Sequence, residues 1–120
     1  MRDSNNKSHI CVDFDGVLHM YNSGWQGACV IPDDPVPGAL EWLSAMVHGY
    51  PEFQICVYSS RSKEPGAIEA MKAWLRFHFM VFYARLELRS EELEPAAQRV
   101  IDGLEFPTQK PAANMLIDDR

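Results

Sequence analysis

A chain of 120 residues, 47% apolar and 23% charged, holds one domain around one core of helices on a sheet. Its net charge of −6 argues against general affinity for nucleic acid or an anionic membrane, but leaves room for a local phosphate site. No apolar run approaches the roughly 20 residues needed to span a bilayer, and the polar start from Met1 to Lys7 has no signal-peptide core.

Residues 1–9 read as a frayed tail and 10–120 as the domain. Ile10-Cys11-Val12 is a short apolar run with no polar break, the pattern of a buried parallel strand. It runs into Asp13-Phe14-Asp15-Gly16. Positions i and i+2 of an extended chain point to one side, so the two carboxylates repel unless a cation or a shared proton intervenes. Gly16 lets the chain turn away just after them. Residues 19–30 hold Gly24 and Gly27 around Trp25 and read as a mobile loop. Pro32, Pro35 and Pro37 exclude a helix there, and Pro37 suits the first turn of the helix that follows. Leu40, Leu43, Met46 and Val47 give that helix its apolar stripe up to Gly49.

Residues 53–58 are the second strand, ending in Ser59-Ser60-Arg61-Ser62. A helix starts near Pro65 or Gly66, with Ile68, Met71, Trp74 and Leu75 facing inward. Residues 77–88 fit either a continued helical stripe or a strand through Met80 to Tyr83. Their aromatic content also suits a dimer surface. Ser90 opens another helix, running to about Asp102 before Gly103. Residues 104–106 and 115–117 are short strands, the last ending in Asp118-Asp119-Arg120. Strands alternating with helices imply right-handed crossovers and a parallel sheet. Cys11, Cys29 and Cys56 form no paired spacing and no zinc motif, which suits a reducing, cytoplasmic setting.

In a parallel sheet the strand C-termini share one edge, so Asp13, Asp15, Ser59, Arg61, Asp118 and Asp119 converge there, with Lys110 in the loop before the last strand. Clustered carboxylates call for a hard divalent cation, most simply Mg²⁺. The hydroxyl, Lys and Arg suit phosphate oxygens.

This order of motifs resembles the haloacid dehalogenase superfamily of phosphohydrolases. Val12-Asp13-Phe14-Asp15-Gly16-Val17 is similar to its first motif, Ser59 after Cys56-Val57-Tyr58 to its second, Lys110 to its third, and Ile117-Asp118-Asp119-Arg120 to its paired-Asp fourth. The Ser-Ser-Arg and Asp-Asp-Arg forms resemble its deoxyribonucleotidase-like and polynucleotide-phosphatase-like branches. The resemblance implies a three-layer Rossmann-like fold with helices flanking a parallel sheet. It leaves no space for a large cap domain. It implies a Mg²⁺-dependent phosphatase in which Asp13 attacks phosphorus and Asp15 serves as acid, then base. Asp13, the Asp15 carbonyl and the fourth motif would hold the metal, with Asp119 favoured over Asp118 as direct ligand. Ser59 would bind a phosphoryl oxygen and Lys110 would offset charge.

Gly16, Ser60, Arg61 and Trp25 complete the expected substrate site. Trp25 would stack on a base and Arg61 would hold a second anionic group. The substrate is expected to be a phosphorylated small molecule or an exposed phosphate on a larger one, such as a nucleotide or nucleic-acid end. An open site of this kind could instead be closed by a second subunit in a homo-oligomer. The family ordinarily continues into another strand and helix after its fourth motif. The chain is therefore read as either C-terminally truncated or built on a short sheet. Two other readings stay open: a phosphate- or nucleotide-binding module without turnover, and a phospho-accepting receiver domain.

Overall fold

The structure, a computed structural model, describes residues 7–111 and 115–117. Strand β1 (Ser8–Asp13) is followed by helix α1 (Ala39–Gly49) and strand β2 (Phe53–Tyr58). Helices α2 (Ala67–Arg85) and α3 (Ser90–Asp102) then lead to strands β3 (Leu104–Glu105) and β4 (Met115–Ile117). All four strands are parallel, in the order β3-β2-β1-β4. The expected α/β class with a parallel sheet is what the chain forms.

Alternation along the strands decides where the core sits. Ile10, Val12, Ile55, Val57 and Leu104 share one buried cluster with Leu43 of α1, Met71, Leu75 and Phe79 of α2, and Val100 of α3. All three helices therefore pack on one face. The cause is handedness: β1 to β2 to β3 steps one way across the sheet, and right-handed crossovers put every helix on the same side. Between β3 and β4, residues 106–111 are not helical. Among the described residues the fold thus has two layers, where helices on both faces had been expected. No described helix is long and apolar enough to cross a membrane.

Several element boundaries differ from those read in the sequence. β1 begins at Ser8, inside the stretch read as a tail, because Ser8 and His9 pair with Phe53 and Gln54. Residues 1–6 lie outside the described residues. Helix α1 starts at Ala39, not at Pro37, after Gly38 with φ 84°. A residue with a side chain would be strained in that left-handed conformation. The ambiguous stretch 77–88 is helix as far as Arg85. Packing decides it: Phe79 is fully buried, and the Tyr83 hydroxyl lies 3.0 Å from Ser44 Oγ of α1. Truncating such a buried apolar residue, as in Leu75→Ala, costs about 2–5 kcal/mol.

The strand order also places the site. From β1 the chain moves first to the β2 side and later returns to the β4 side. The C-terminal end of β1 is therefore the switch point, where open α/β sheets bind ligands.

Candidate functional site at the switch point

Asp13 is the last residue of β1 and pairs with Tyr58, the last of β2. The Phe14 N–H donates to the Tyr58 carbonyl at 2.9 Å, which keeps the two strand ends abreast. A tight turn follows. The N–H groups of Leu18 and His19 both donate to the Phe14 carbonyl, at 3.0 and 2.9 Å, and the Gly16 N–H donates to the His19 carbonyl at 2.7 Å. Gly16 takes φ 91° in this turn, which accounts for the glycine. The turn carries Asp15 over the end of β2.

Asp15 is the hub of the site, with its side chain 14% exposed. Its Oδ2 accepts from Ser59 Oγ at 2.9 Å and from Arg61 Nε at 3.0 Å. Its Oδ1 accepts from Arg61 Nη2 at 2.9 Å and lies 2.9 Å from His19 Nδ1. The other ring nitrogen of His19, Nε2, accepts the Asp33 N–H at 3.1 Å. Nδ1 therefore carries the proton and donates to Asp15. His19 is fully buried, between Phe14 and Trp74. In the sequence it reads as a residue of the loop that follows the first strand.

Arg61 is held by the 3₁₀ turn at Ser60–Lys63. Ser59 Oγ accepts the Arg61 N–H at 3.2 Å, and Ser62 Oγ accepts the Ser59 N–H at 3.0 Å. Ser62 is buried in that capping role, while Ser60 is exposed. The Arg61 side chain is fully buried, and its guanidinium forks onto both oxygens of Asp15. Its Nη1 donates to the carbonyls of Ala28 and Val30 at 3.0 and 3.1 Å, and of Gly27 at 3.4 Å. The Trp25 ring, with the residue 52% exposed, lies 5.0 Å from the guanidinium carbon. In this arrangement Arg61 straps the loop down over the strand ends rather than facing an open cleft.

Asp33 fastens the other side of the loop. Its carboxylate accepts the Ser23 N–H and hydroxyl at 2.7 and 2.6 Å, which hold the Asp33 carboxyl below its ordinary pKa. Its carbonyl accepts the Trp74 indole N–H at 3.1 Å. Asp33 falls in the proline-rich stretch before α1, far in sequence from Trp74.

Lys110 lies in the exposed loop after β3. Burial pushes the Cys11 thiol up, and the Lys110 charge acts against that shift. Cys11 and Asp13 share a sheet face by strand alternation. Asp118 and Asp119 lie outside the described residues. β4 runs beside β1 as far as the Val12–Ile117 pair, and the two acids follow Ile117 in sequence. A groove of about 480 Å³ lies between residues 34–38, α1 and α2, lined by residues including Glu41, Phe77, His78 and Arg85. It contains none of Asp13, Asp15, Ser59 or Lys110.

No family model, curated protein or solved structure matches this chain. Its own residues and their geometry carry the functional reading.

Mg²⁺ takes hard oxygen ligands. Asp13 and the Asp15 backbone carbonyl offer hard oxygens, as that ion requires. The Asp15 carboxylate is already bound to Ser59, Arg61 and His19.

Proposed function

We propose that the chain is a Mg²⁺-dependent phosphoric monoester hydrolase on a Rossmann-like, haloacid dehalogenase-like scaffold, working through an aspartyl-phosphate at Asp13. The observation that carries the reading is the contact between Asp15 and Ser59, at the end of β1 where the strand order reverses. It joins the first and second motif-like stretches at the place where α/β sheets bind ligands.

In this reading an Asp13 oxygen forms a bond to phosphorus as the ester oxygen departs. Asp15 gives that oxygen a proton, then takes one from the water that hydrolyses the aspartyl-phosphate and frees phosphate. Ser59 and Lys110 hold the phosphoryl oxygens. Mg²⁺, when bound by Asp13, the Asp15 carbonyl and the fourth-motif acid, neutralises phosphoryl charge. All four close contacts to the Asp15 carboxylate come from donors, so some of them must turn away for it to take up from solvent the proton that it then delivers. Ser59 and Arg61 are the pair an incoming dianion would attract. The exposed Trp25 ring beside Arg61 favours a nucleotide or a nucleic-acid-end phosphate as substrate, through stacking on a base. Free cysteines at positions 11, 29 and 56 go with a cytoplasmic setting.

The commitment of Arg61 to Asp15 also favours a second reading, a phosphate- or nucleotide-binding module without turnover. Hydrolysis of an aryl phosphate, with and without Mg²⁺, separates the two. Mg²⁺-dependent turnover that Asp13→Asn abolishes, at unchanged unfolding midpoint, is the expected result. Binding without turnover favours the module, and a single slow phosphorylation favours a receiver-type acceptor. Residual Asp13→Asn activity within about tenfold of wild type, near 1.4 kcal/mol of barrier, overturns the nucleophile assignment.

A further inference from the structure

We infer that the sheet face opposite the helices carries a transition-metal site of the zinc class, formed by His9, Cys56 and Glu105. The three side chains come from adjacent strands β1, β2 and β3, and their ligand atoms all lie within 4.8 Å of one another. Cys56 is in register with Glu105 on one side and with Cys11 on the other, and His9 is two residues before Cys11 on the same face. Cys56 Sγ is 3.3 Å from Glu105 Oε1, and His9 Nε2 is 3.8 Å from that same oxygen. Tetrahedral zinc with bonds of about 2.0–2.3 Å sets its ligand atoms roughly 3.3–3.7 Å apart. Two of the three ligand-atom distances are close to that spacing already, and the third is at most 4.8 Å. Among the described residues it is the one group of three such ligands.

The ligand set selects the metal. Imidazole, thiolate and one carboxylate suit Zn²⁺, Co²⁺ or a similar ion, whereas Mg²⁺ prefers oxygen alone. Three protein ligands leave a fourth position for water. The site is reachable, because the His9 and Glu105 side chains are 28% and 56% exposed above the buried Cys56. As the metal–sulfur bond forms, the thiol proton that now points to Glu105 leaves to solvent. Asp13 is four residue steps from His9 along β1, about 13 Å, so the site is distinct from the switch point. Its effect is mechanical. β3 has only two residues, and an ion shared with β1 and β2 pins it to the sheet.

The test is a Co²⁺ titration of the full chain without an affinity tag, in a Cys29→Ser background that removes the exposed thiol. One equivalent should give a thiolate-to-cobalt charge-transfer band that Zn²⁺ bleaches and excess Mg²⁺ does not. His9→Gln and Glu105→Gln should each weaken binding by about tenfold or more, and Cys56→Ser should remove the band. If Cys56→Ser fails to fold, the two exposed variants still decide the matter. No band at one equivalent, or a band of unchanged affinity in both His9→Gln and Glu105→Gln, overturns the site. None of these outcomes depends on phosphatase activity.

Discussion

Arg61→Met removes a fully buried guanidinium of similar length and leaves Asp15, itself mostly buried, facing Ser59 and His19 alone. Two losses and one retained contact can be weighed. Breaking a buried pair by deleting one partner costs about 3–5 kcal/mol, since the other charge stays desolvated. The carbonyls of Gly27, Ala28 and Val30 lose their donor, but these residues are half-buried or exposed, so water replaces much of it. The methionine keeps most of the apolar contact with Phe14. The net expectation is about 3–5 kcal/mol. A domain of this size loses roughly 3–5 °C of Tm per kcal/mol, so Tm should fall by about 10–20 °C. Urea unfolding at constant m-value measures the change. Asp15→Asn in the Arg61→Met background should recover part of the loss, giving a coupling of about 1 kcal/mol or more. If Arg61→Met costs under about 1 kcal/mol, or the double variant is additive, the buried fork is refuted. The measurement is independent of any activity.

Mg²⁺ should raise Tm by binding only the folded protein, and Asp119→Asn should weaken that shift more than Asp118→Asn. Undiminished shifts in both variants would remove the fourth-motif acids from the metal site. Trp25→Ala should raise KM for a nucleotide substrate about fivefold or more while leaving KM for a small aryl phosphate nearly unchanged, since one base stack is worth roughly 1–3 kcal/mol. An equal response to both substrates would make Trp25 a packing residue. The Asp33 carboxyl has its pKa depressed by Ser23 in the folded state, so its stabilisation is present above the ordinary value of 3.8 and is lost as pH falls through the depressed one. Ser23→Ala should flatten that part of the acid limb of an unfolding-against-pH curve. An unchanged limb would mean the loop clasp contributes nothing to stability.

The amino-acid order by itself determined what is local. The apolar runs at 10–12 and 55–57 lie within β1 and β2, because a strand buried along its core needs a short unbroken apolar segment. The helix before Gly103 was legible from its start and stop signals, although Ser90, read as its N-cap, is its first helical residue and Arg89 takes the cap position. The adjacency of Asp13 and Ser59 was also legible, because parallel strands end on one edge whatever their register. Residues 77–85 were not, since an aromatic and β-branched run satisfies either period until Phe79 finds the core. Only the tertiary structure turned His19 and Arg61 onto Asp15: Arg61 is 46 positions away, and the turn at Gly16 aims the carboxylate. It alone put the helices on one face, through the handedness of successive crossovers. It also brought His9, Cys56 and Glu105 together, from spacings that match no zinc motif. Local periodicity is written in neighbouring residues, whereas a site built across strands depends on register, which distant segments decide jointly as they pair.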